Sequence, residues 1–442
     1  MKIAMKIAMK QLYPIVPLGL VLAMFLHLPN LAQNNQTSSE AETPGSDNAI
    51  LWKTRVGLMG YLNQIKVTDQ TVYLSSSGRV WNTTESDTRE PLVARNGIYA
   101  LDLESGKIKW SHDTPEDANG IDLNGDLLAY SSETEIGLIN RQTGKALWKI
   151  PLVHEAYQVK LLGSTLLLGD KAGYLWALDI QTGKVLWQKR FYGEIRSPLT
   201  GDANRLFVAS TRGEIMALNS AGQILWQNRL THPYPPDSQR SDPFNLSIYA
   251  APVLVGDRLL IAYARNGTYA HPALLALNAE TGVELWRAQD LKRLKTGYGN
   301  LRASPAIYQD QLAIWAEPNS NHVVGLDLEK GEVKWVNSAG IPMYPNWAGA
   351  VINGRVAVVP RFDGSLYFLN AETGHLLGES YWGSVEEAGK PMSVAKKPTL
   401  PIVFDFPPFG DAIYSTPALA GKNTALVACN DWLYRLIIPT QD

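Results

Sequence analysis

The sequence predicts an all-β fold, an eight-bladed β-propeller, from three observations. A short phrase that ends in tryptophan recurs along the chain, and Trp148, Trp187 and Trp226 follow one another at intervals of 39 residues. Such an interval fits four short strands with tight turns, which is one propeller blade. The strand segments at the two ends of the chain are each too few to form a complete four-stranded blade on their own. After residue 33 no stretch keeps the 3.6-residue apolar period of a long helix.

Each copy of the phrase has an apolar strand, Asp or Asn, a turn that ends in Gly, and a strand that ends in Trp. A clear copy runs from Asp179 through Gly183 to Trp187. The Asp or Asn opens the turn by bonding to its own backbone, and Gly provides a positive φ. A tryptophan buries about 150–250 Å², so we expect each one to wedge between neighbouring sheets. The predicted blade-docking residues are Trp52, Trp110, Trp148, Trp187, Trp226, Trp286 and Trp335.

The two ends of the chain predict how the ring closes. A degenerate seventh copy, residues 368–378, has Gly378 where Trp is expected. Residues 50–52 have the pattern of a fourth strand with nothing before it, and the last unit, residues 415–436, has only three strands. We therefore predict that the N-terminal strand completes the last blade, because this closure removes an exposed sheet edge.

The N-terminus is a predicted targeting segment. Lys2, Lys6 and Lys10 precede an apolar run over residues 12–28, and a weak cleavage site lies before Gln33. The sequence leaves open whether the segment is removed or kept as an anchor, and which early methionine starts the protein. The expected protein is periplasmic or secreted, and it meets a membrane only through a retained N-terminal segment.

The sequence divides into three predicted segments. These segments are residues 1–32, a signal peptide or N-terminal anchor; residues 33–48, a disordered polar linker; and residues 49–442, a single propeller domain.

The composition excludes several functions. The near balance of Lys+Arg 40 against Asp+Glu 42 gives no electrostatic drive toward nucleic acid. With one cysteine, Cys429, neither an intramolecular disulfide nor a cysteine metal cluster can form, and the seven His show no metal-ligand spacing.

Residues 177–187, Ala-Leu-Asp-Ile-Gln-Thr-Gly-Lys-Val-Leu-Trp, resemble the tryptophan-docking pyrroloquinoline-quinone (PQQ) repeat, and the resemblance covers about residues 50–438. Two groups share this repeat: the quinoprotein dehydrogenases, which bind PQQ and Ca²⁺, and non-enzymatic scaffold propellers similar to that of the outer-membrane β-barrel assembly machinery. The single cysteine rules out the adjacent-cysteine disulfide of the alcohol-oxidising enzymes. The resemblance therefore implies a scaffold with no catalytic residue, metal or cofactor, although the sequence also lacks the lipid-bearing cysteine of the scaffold lipoproteins.

The long segments of the predicted propeller fall on one face, where we expect binding. With strands numbered 1 to 4 from the centre outward, the turns between strands 2 and 3 and the connections between blades share this face. Loops on rigid scaffolds commonly carry function. The candidate binding residues are Arg95, Lys171, Arg212, Tyr234, Phe244, Arg265, Tyr298, Arg361 and Trp382. The alternative is a purely structural role for these residues. In that case the basic residues are solvated turn residues, and the aromatic residues pack on each other.

The leading interpretation is an extracytoplasmic, monomeric scaffold that binds a protein partner in the cell envelope and binds no nucleic acid. Two alternatives remain open. One is a PQQ-dependent quinoprotein oxidoreductase, with Ca²⁺ as its metal. The other is a sensory domain that binds a small anion at the basic residues.

Overall fold

The structure is a computed structural model. It describes residues 50–60, 62–68, 70–78, 95–202, 204–231, 246–265, 272–288, 303–316, 322–337, 348–360, 366–378, 413–429 and 431–439. All of these belong to the compact unit Gly45–Asp442. The predicted signal peptide and linker, residues 1–32 and 33–48, lie outside the described residues.

The described residues form short strands joined by tight turns. In chain order the strands are β1 (Ile50–Arg55), β2 (Ile65–Thr68), β3 (Thr71–Ser76), β4 (Gly97–Asp102), β5 (Ile108–Asp113), β6 (Ala118–Asn124), β7 (Leu127–Ser132), β8 (Glu135–Asn140), β9 (Ala146–Pro151), β10 (Ala156–Leu162), β11 (Thr165–Asp170), β12 (Tyr174–Asp179), β13 (Val185–Arg190), β14 (Thr200–Gly201), β15 (Leu206–Ala209), β16 (Glu214–Leu218), β17 (Ile224–Arg229), β18 (Leu246–Ser247), β19 (Val253–Val255), β20 (Arg258–Arg265), β21 (Pro272–Asn278), β22 (Glu284–Arg287), β23 (Ala306–Tyr308), β24 (Leu312–Ala316), β25 (Val323–Asp327), β26 (Val333–Asn337), β27 (Val351–Asn353), β28 (Val356–Pro360), β29 (Leu366–Asn370), β30 (Leu376–Gly378), β31 (Ala418–Leu419), β32 (Thr424–Cys429) and β33 (Trp432–Ile437).

Over this part of the chain the strands form eight antiparallel sheets, each one blade of a propeller. Blades 1 to 4 are β2–β5, β6–β9, β10–β13 and β14–β17. Blade 5 is β18–β22, in which β18 and β19 both pair with β20, and blades 6 and 7 are β23–β26 and β27–β30. Blade 8 contains β31, β32, β33 and β1. The predicted all-β, eight-bladed propeller is confirmed.

The N-terminal strand closes the ring, as predicted. β1 pairs antiparallel with β33 and forms the outer strand of blade 8. The end of β1 is fixed by Asp431: its carboxylate lies 2.5 Å from Arg55 Nε, and its carbonyl accepts hydrogen bonds from Val56 N and Gly57 N at 2.9 and 3.0 Å. The first and last strands of the propeller are therefore neighbours, and no open sheet edge separates them.

A repeated contact joins neighbouring blades at their outer edges. The outer-strand indole of one blade lies on the glycine that ends the strand 3–4 turn of the next, and its Nε1 donates to a carbonyl of that turn. We call this pair of interactions the tryptophan docking contact. The donor bonds are Trp52 to Leu103 (2.8 Å), Trp110 to Arg141 (3.0 Å), Trp148 to Ile180 (2.9 Å), Trp187 to Ser220 (3.2 Å), Trp226 to Ala279 (3.0 Å) and Trp286 to Leu328 (2.8 Å).

Gly144 shows why the turn requires glycine for two reasons. Its φ is 70°, in the left-handed region that disfavours any side chain. In addition, an added Cβ would lie 2.7 Å from Cδ2 of Trp110, well inside van der Waals contact. The turn glycine and the tryptophan of the preceding blade are thus one packing unit, although more than thirty residues separate them in sequence.

Trp335 makes only half of this contact. Its ring lies on Gly374, where an added Cβ would be 2.3 Å from the indole, but its buried Nε1 has no hydrogen-bond partner among the described residues. In blade 7 the register places Gly378 opposite Phe368, the position that Trp110 occupies opposite Ala100 in blade 1. The described part of blade 7 therefore presents no indole to blade 8.

A polar chain that is buried at its centre adds to the packing between blades 1 and 2. His112 Nε2 lies 3.3 Å from the Tyr130 hydroxyl, which donates to Glu135 Oε1 at 2.8 Å. Lys149 Nζ lies 3.3 Å from the other oxygen of Glu135. Burial lowers the pKa of His112 and raises the pKa of Tyr130, so the ring is held neutral and the hydroxyl stays a donor.

Gly144→Ala should destabilise the propeller more than a glycine change of equal backbone strain. Gly125 is the matched control in the same blade, because its φ is also positive and nothing lies within 4 Å of its missing Cβ. We expect Gly125→Ala to lower the free energy of unfolding by about 1 kcal/mol, and Gly144→Ala by roughly 2–4 kcal/mol. Urea unfolding measures both; equal losses would contradict the double role of Gly144.

Acid should destabilise the fold through His112. The unfolded chain binds a proton at the ordinary histidine pKa of about 6.5, whereas the folded pKa is lower. The stability that neutral His112 contributes is complete above that pH and is lost as the pH falls through the folded pKa. His112→Asn should therefore flatten the decline in unfolding free energy between about pH 7 and pH 5, measured by urea titration. His154→Asn, at an exposed loop position, is the control. If the unfolding free energy of wild type and of His112→Asn declines identically over this pH range, His112 is not the group responsible.

Candidate functional site

The predicted binding face is the one that carries the strand 2–3 turns and the connections between blades. We call it the connection face. Arg95, Lys171 and Arg212 lie where the sequence predicts, at strand 2–3 turns: Arg95 comes just before β4, Lys171 follows β11, and Arg212 follows β15. Arg265 is the last residue of β20. The other predicted residues, Tyr234, Phe244, Tyr298, Arg361 and Trp382, lie outside the described residues.

Two of the predicted basic residues are paired with carboxylates. Arg95 Nη1 lies 3.1 Å from Asp113 Oδ2, and Lys171 Nζ lies 3.4 Å from Glu155 Oε2. Both basic side chains are exposed. Pairing of this kind reduces the positive potential that a free anion would meet at the rim. The connection face is therefore a surface of mixed charge at these positions.

The structure brings together a cluster that no local pattern marks in the sequence. The Arg196 guanidinium lies over two rings, 5.0 Å from the centroid of Tyr157 and 5.3 Å from that of Tyr249. Its Nε lies 2.5 Å from Glu194 Oε2, and the Tyr157 hydroxyl donates to the same oxygen at 3.3 Å. We call these four residues the arginine cluster. They come from β10 in blade 3, from the connection between blades 3 and 4, and from the segment between β18 and β19 in blade 5.

The fold holds the arginine cluster rigidly. Ile195, between its two charged members, is fully buried, and its N–H donates to the Asp170 carbonyl at 3.1 Å. Glu194 N donates to Thr211 Oγ1 at 3.0 Å, and Thr211 N donates back to the Glu194 carbonyl at 2.9 Å. The connection between blades 3 and 4 is thus fixed to the ends of β11 and β15. Its charged side chains are presented on a firm backbone.

The cluster is partly exposed, which determines the chemistry open to it. The side chains of Arg196 and Glu194 keep 18% and 34% of their exposure. A guanidinium stacked on aromatic rings is pre-oriented and partly desolvated, and such a group pairs well with a carboxylate or a peptide carbonyl. Nearby, burial raises the pKa of Glu155, while Lys171 opposes the rise. Arginine and tyrosine are enriched at protein–protein interfaces, whereas carboxylates are depleted there.

Two exposed side chains lie on the connections between blades 2 and 3 and between blades 3 and 4. Val153 is 92% exposed, and Tyr192 is 76% exposed with Arg229 stacked 5.3 Å from its ring centroid. Tyr192 N donates to the buried carboxylate of Glu214, which fixes the backbone beneath the ring. An exposed tyrosine on a fixed backbone supplies contact area at little entropic cost. These residues place exposed side chains on the connections at either end of blade 3.

Amide side chains tie the inner strands of blades 1, 2 and 3 together. Asn63 Nδ2 donates to the Ala118 carbonyl at 2.6 Å, and Asn119 Nδ2 donates to the Ala156 carbonyl at 2.9 Å. Gln64 Nε2 donates to Gln158 Oε1 at 2.8 Å, which joins blade 1 directly to blade 3. These amides bond to one another and to backbone, so their role is to brace the inner ring.

Nowhere among the described residues do three or more His, Cys, Asp or Glu side chains converge as metal ligands. Cys429 is buried. No helix in the described ranges has the length and apolar character needed to cross a membrane.

Comparison with known proteins places the chain in a family. Residues 41–159, 132–271 and 171–343 match the profile of the family described as outer membrane protein assembly factor BamB. BamB of Moranella endobia (strain PCIT) is 25% identical over 174 residues, which cover 38% of this chain and 42% of that protein. A polyvinylalcohol dehydrogenase of Pseudomonas sp is 26% identical over 246 residues, 44% of this chain and 38% of that protein. The matches therefore span less than half the length of either relative.

A solved structure supports the same fold. The crystal structure of BamB from Moraxella catarrhalis superposes with a TM-score of 0.63 at 16% identity, and the match covers 88% of this chain and 99% of that one. The fold and the repeated docking contact define a PQQ-repeat propeller with a mixed-charge, arginine- and tyrosine-bearing face. Because the family profile matches more than half of its residues, the chain belongs to the family of outer membrane protein assembly factor BamB.

Proposed function

We propose that this protein is a non-enzymatic scaffold that binds a protein partner in the cell envelope during outer-membrane protein assembly. The observation that carries the proposal is the arginine cluster, in which Arg196 lies between Tyr157 and Tyr249 on a fixed part of the connection face. Family membership supports the assembly role, because the relatives are named outer membrane protein assembly factors. The predicted N-terminal targeting segment supports a location outside the cytoplasm.

The composition of the surface favours a protein partner over a small ligand. Arginine and tyrosine are the residues most enriched where interfaces concentrate their binding energy. The arginine cluster takes its residues from blade 3, from blade 5 and from the connection between blades 3 and 4, and the exposed Tyr192 lies on that same connection. The ion pairs of Arg95 and Lys171 also weaken the case for a free anion. A partner with carboxylates and exposed carbonyls at its surface fits this chemistry.

A second candidate is a PQQ-dependent oxidoreductase, favoured by the similarity to polyvinylalcohol dehydrogenase. PQQ in such enzymes works beside Ca²⁺, which needs several oxygen ligands. No described part of the chain gathers three acidic or histidine ligands. The described residues do not fit this metal, so we derive no catalytic step. Dye-linked oxidation of an alcohol by the purified chain with added PQQ and Ca²⁺ would support this candidate and overturn the scaffold.

The scaffold proposal predicts a specific loss on charge reversal at the arginine cluster. In source cells that lack the gene, we expect the amount of folded outer-membrane β-barrel proteins to fall and the wild-type chain to restore it. Arg196→Glu should fail to restore it, because the loss of a central arginine costs about 2 kcal/mol or more of binding, roughly a thirtyfold change in Kd. Semi-native electrophoresis of outer membranes measures the folded fraction.

The matched control is Arg205→Glu. Arg205 also pairs with a carboxylate, 2.6 Å from Asp202, and also lies over a ring, 5.4 Å from the centroid of Phe207. It precedes β15 in a strand 1–2 turn, on the opposite face of the propeller. We expect this variant to restore assembly fully. Unchanged β-barrel levels without the gene, or full restoration by Arg196→Glu, would refute the proposal.

A further inference from the structure

The packed boundary between blades 7 and 8, here called the 7–8 seam, lacks both halves of the tryptophan docking contact within the described residues. Blade 7 has Gly378 in the register position of the indole. Blade 8 has no strand 3–4 turn to receive one, because its third and fourth strands are β33 and β1, from opposite ends of the chain. The two missing parts belong to the same seam. Closure by the N-terminal strand therefore removes the receiving turn at the one seam where the donor tryptophan is also replaced.

The contact also weakens in the seam before this one. Between blades 5 and 6, Trp286 makes the complete contact, with its Nε1 donating to Leu328 at 2.8 Å. Between blades 6 and 7, Trp335 covers Gly374, but its Nε1 has no partner among the described residues. The docking contact is thus complete, then partial, then missing as the described chain approaches blade 8.

Apolar packing and side-chain hydrogen bonds hold the 7–8 seam. Gly349 N donates to Thr416 Oγ1 at 2.9 Å, and Asn353 Nδ2 donates to Asn423 Oδ1 at 3.1 Å. A buried cluster completes it, with members from both blades. The cluster is Ala348, Val356, Val358, Leu366, Phe368, Ile413, Ala425, Val427, Cys429, Leu436 and Ile438. Apolar contacts are non-directional, so they resist sliding and separation less specifically than a docked indole does.

The seam on the other side of blade 8 is much better bonded. Trp52 Nε1 and Arg435 Nη1 both donate to the Leu103 carbonyl, at 2.8 and 2.9 Å. Arg435 also lies 3.0 Å from Glu104, and Thr54 Oγ1 donates to the Gly106 carbonyl at 2.6 Å. This 8–1 seam therefore has the full docking contact plus a buried arginine. This seam is well stabilised, although it contains β1, which joins blade 8 by hydrogen bonds to β33 and not through a turn.

We propose that the ring opens reversibly at the 7–8 seam while the closing strand β1 stays paired with β33. The opening separates blades 7 and 8 without breaking either sheet, because the backbone ladders lie within blades. Local openings of this kind follow the least stabilised contacts and need far less exposed surface than unfolding. The fold thus contains a built-in opening point at the boundary of blade 8, the blade in which the first and last strands pair.

Two adjacent residues of β32 report on the two seams separately. The Cys429 side chain belongs to the buried cluster of the 7–8 seam. Ala428 points the other way, into the buried cluster of the 8–1 seam. Their exposures are 1% and 2%, so neither position is reached by a reagent in the closed ring. A thiol at 429 therefore reports opening of the 7–8 seam, and a thiol at 428 reports opening of the 8–1 seam.

The test compares the rates at which a maleimide modifies these two thiols under native conditions. The wild-type chain carries Cys429, and the variant Ala428→Cys with Cys429→Ala carries the other thiol. Each rate is divided by the rate of the same chain unfolded in urea. We expect Cys429 to react at least about tenfold faster than the thiol at 428. Equal rates, or faster reaction at 428, would overturn the proposal.

Seam-specific variants sharpen the test. Thr416→Val removes the acceptor for Gly349 N and should speed the reaction of Cys429 alone. Trp52→Phe removes the donor to Leu103 and should speed the reaction of the thiol at 428 alone. If Thr416→Val instead leaves the Cys429 rate unchanged, the 7–8 seam does not control access to this thiol, and the proposal is wrong.

A measurement on the wild-type chain keeps the proposal testable if the variants do not fold. The urea dependence of an opening rate scales with the surface that the opening exposes. Opening at one seam should give a urea slope for Cys429 modification well below the slope of global unfolding. A slope equal to that of global unfolding would show that Cys429 reacts only in the unfolded chain, which contradicts a local opening.

Discussion

The contact between an indole and a turn glycine is the constraint on which the propeller depends. A four-stranded sheet this short buries too little surface to be stable alone, so each blade needs its neighbours. The indole supplies apolar area, and its Nε1 satisfies a carbonyl left open by the turn. Because the glycine leaves no side chain in the way, the ring lies directly on the backbone. One residue therefore fixes both the spacing and the tilt of consecutive sheets.

This constraint explains why the architecture could be predicted from the sequence. Trp110 and Gly144 lie in different blades, and both residue types recur in successive copies of the repeat. The repeat therefore encodes a contact between blades as well as the strands within them. Ring closure was equally predictable, because residues 50–52 had no other strands to join. Local turn chemistry, alternation and the repeat all indicate the same fold, which is the consistency expected of an unfrustrated sequence.

The candidate site was less predictable, for a physical reason. Arg95, Lys171 and Arg212 lie at the expected turns because the repeat sets turn positions. The arginine cluster has no such periodicity, since Tyr157, Glu194 and Tyr249 come from different blades and meet only after the ring forms. The charged residues Glu194 and Arg196 lie close together just before β14, but nothing in the local sequence marks them as a site. The carboxylates that pair with Arg95 and Lys171 were not foreseen either, because ion pairing depends on distances across strands.

Joining the two ends of the chain in blade 8 has a consequence for how the protein folds. Ile50 pairs with Leu436, so β1 emerges first in synthesis or export yet finds its ladder partner last. Until then its edge is unpaired, and sheets that rely on such distant pairing form slowly and risk joining the wrong strand. The charged side chains Lys53 and Arg55 on this short strand limit such errors. The last blade is thus completed only when the C-terminal strands have arrived.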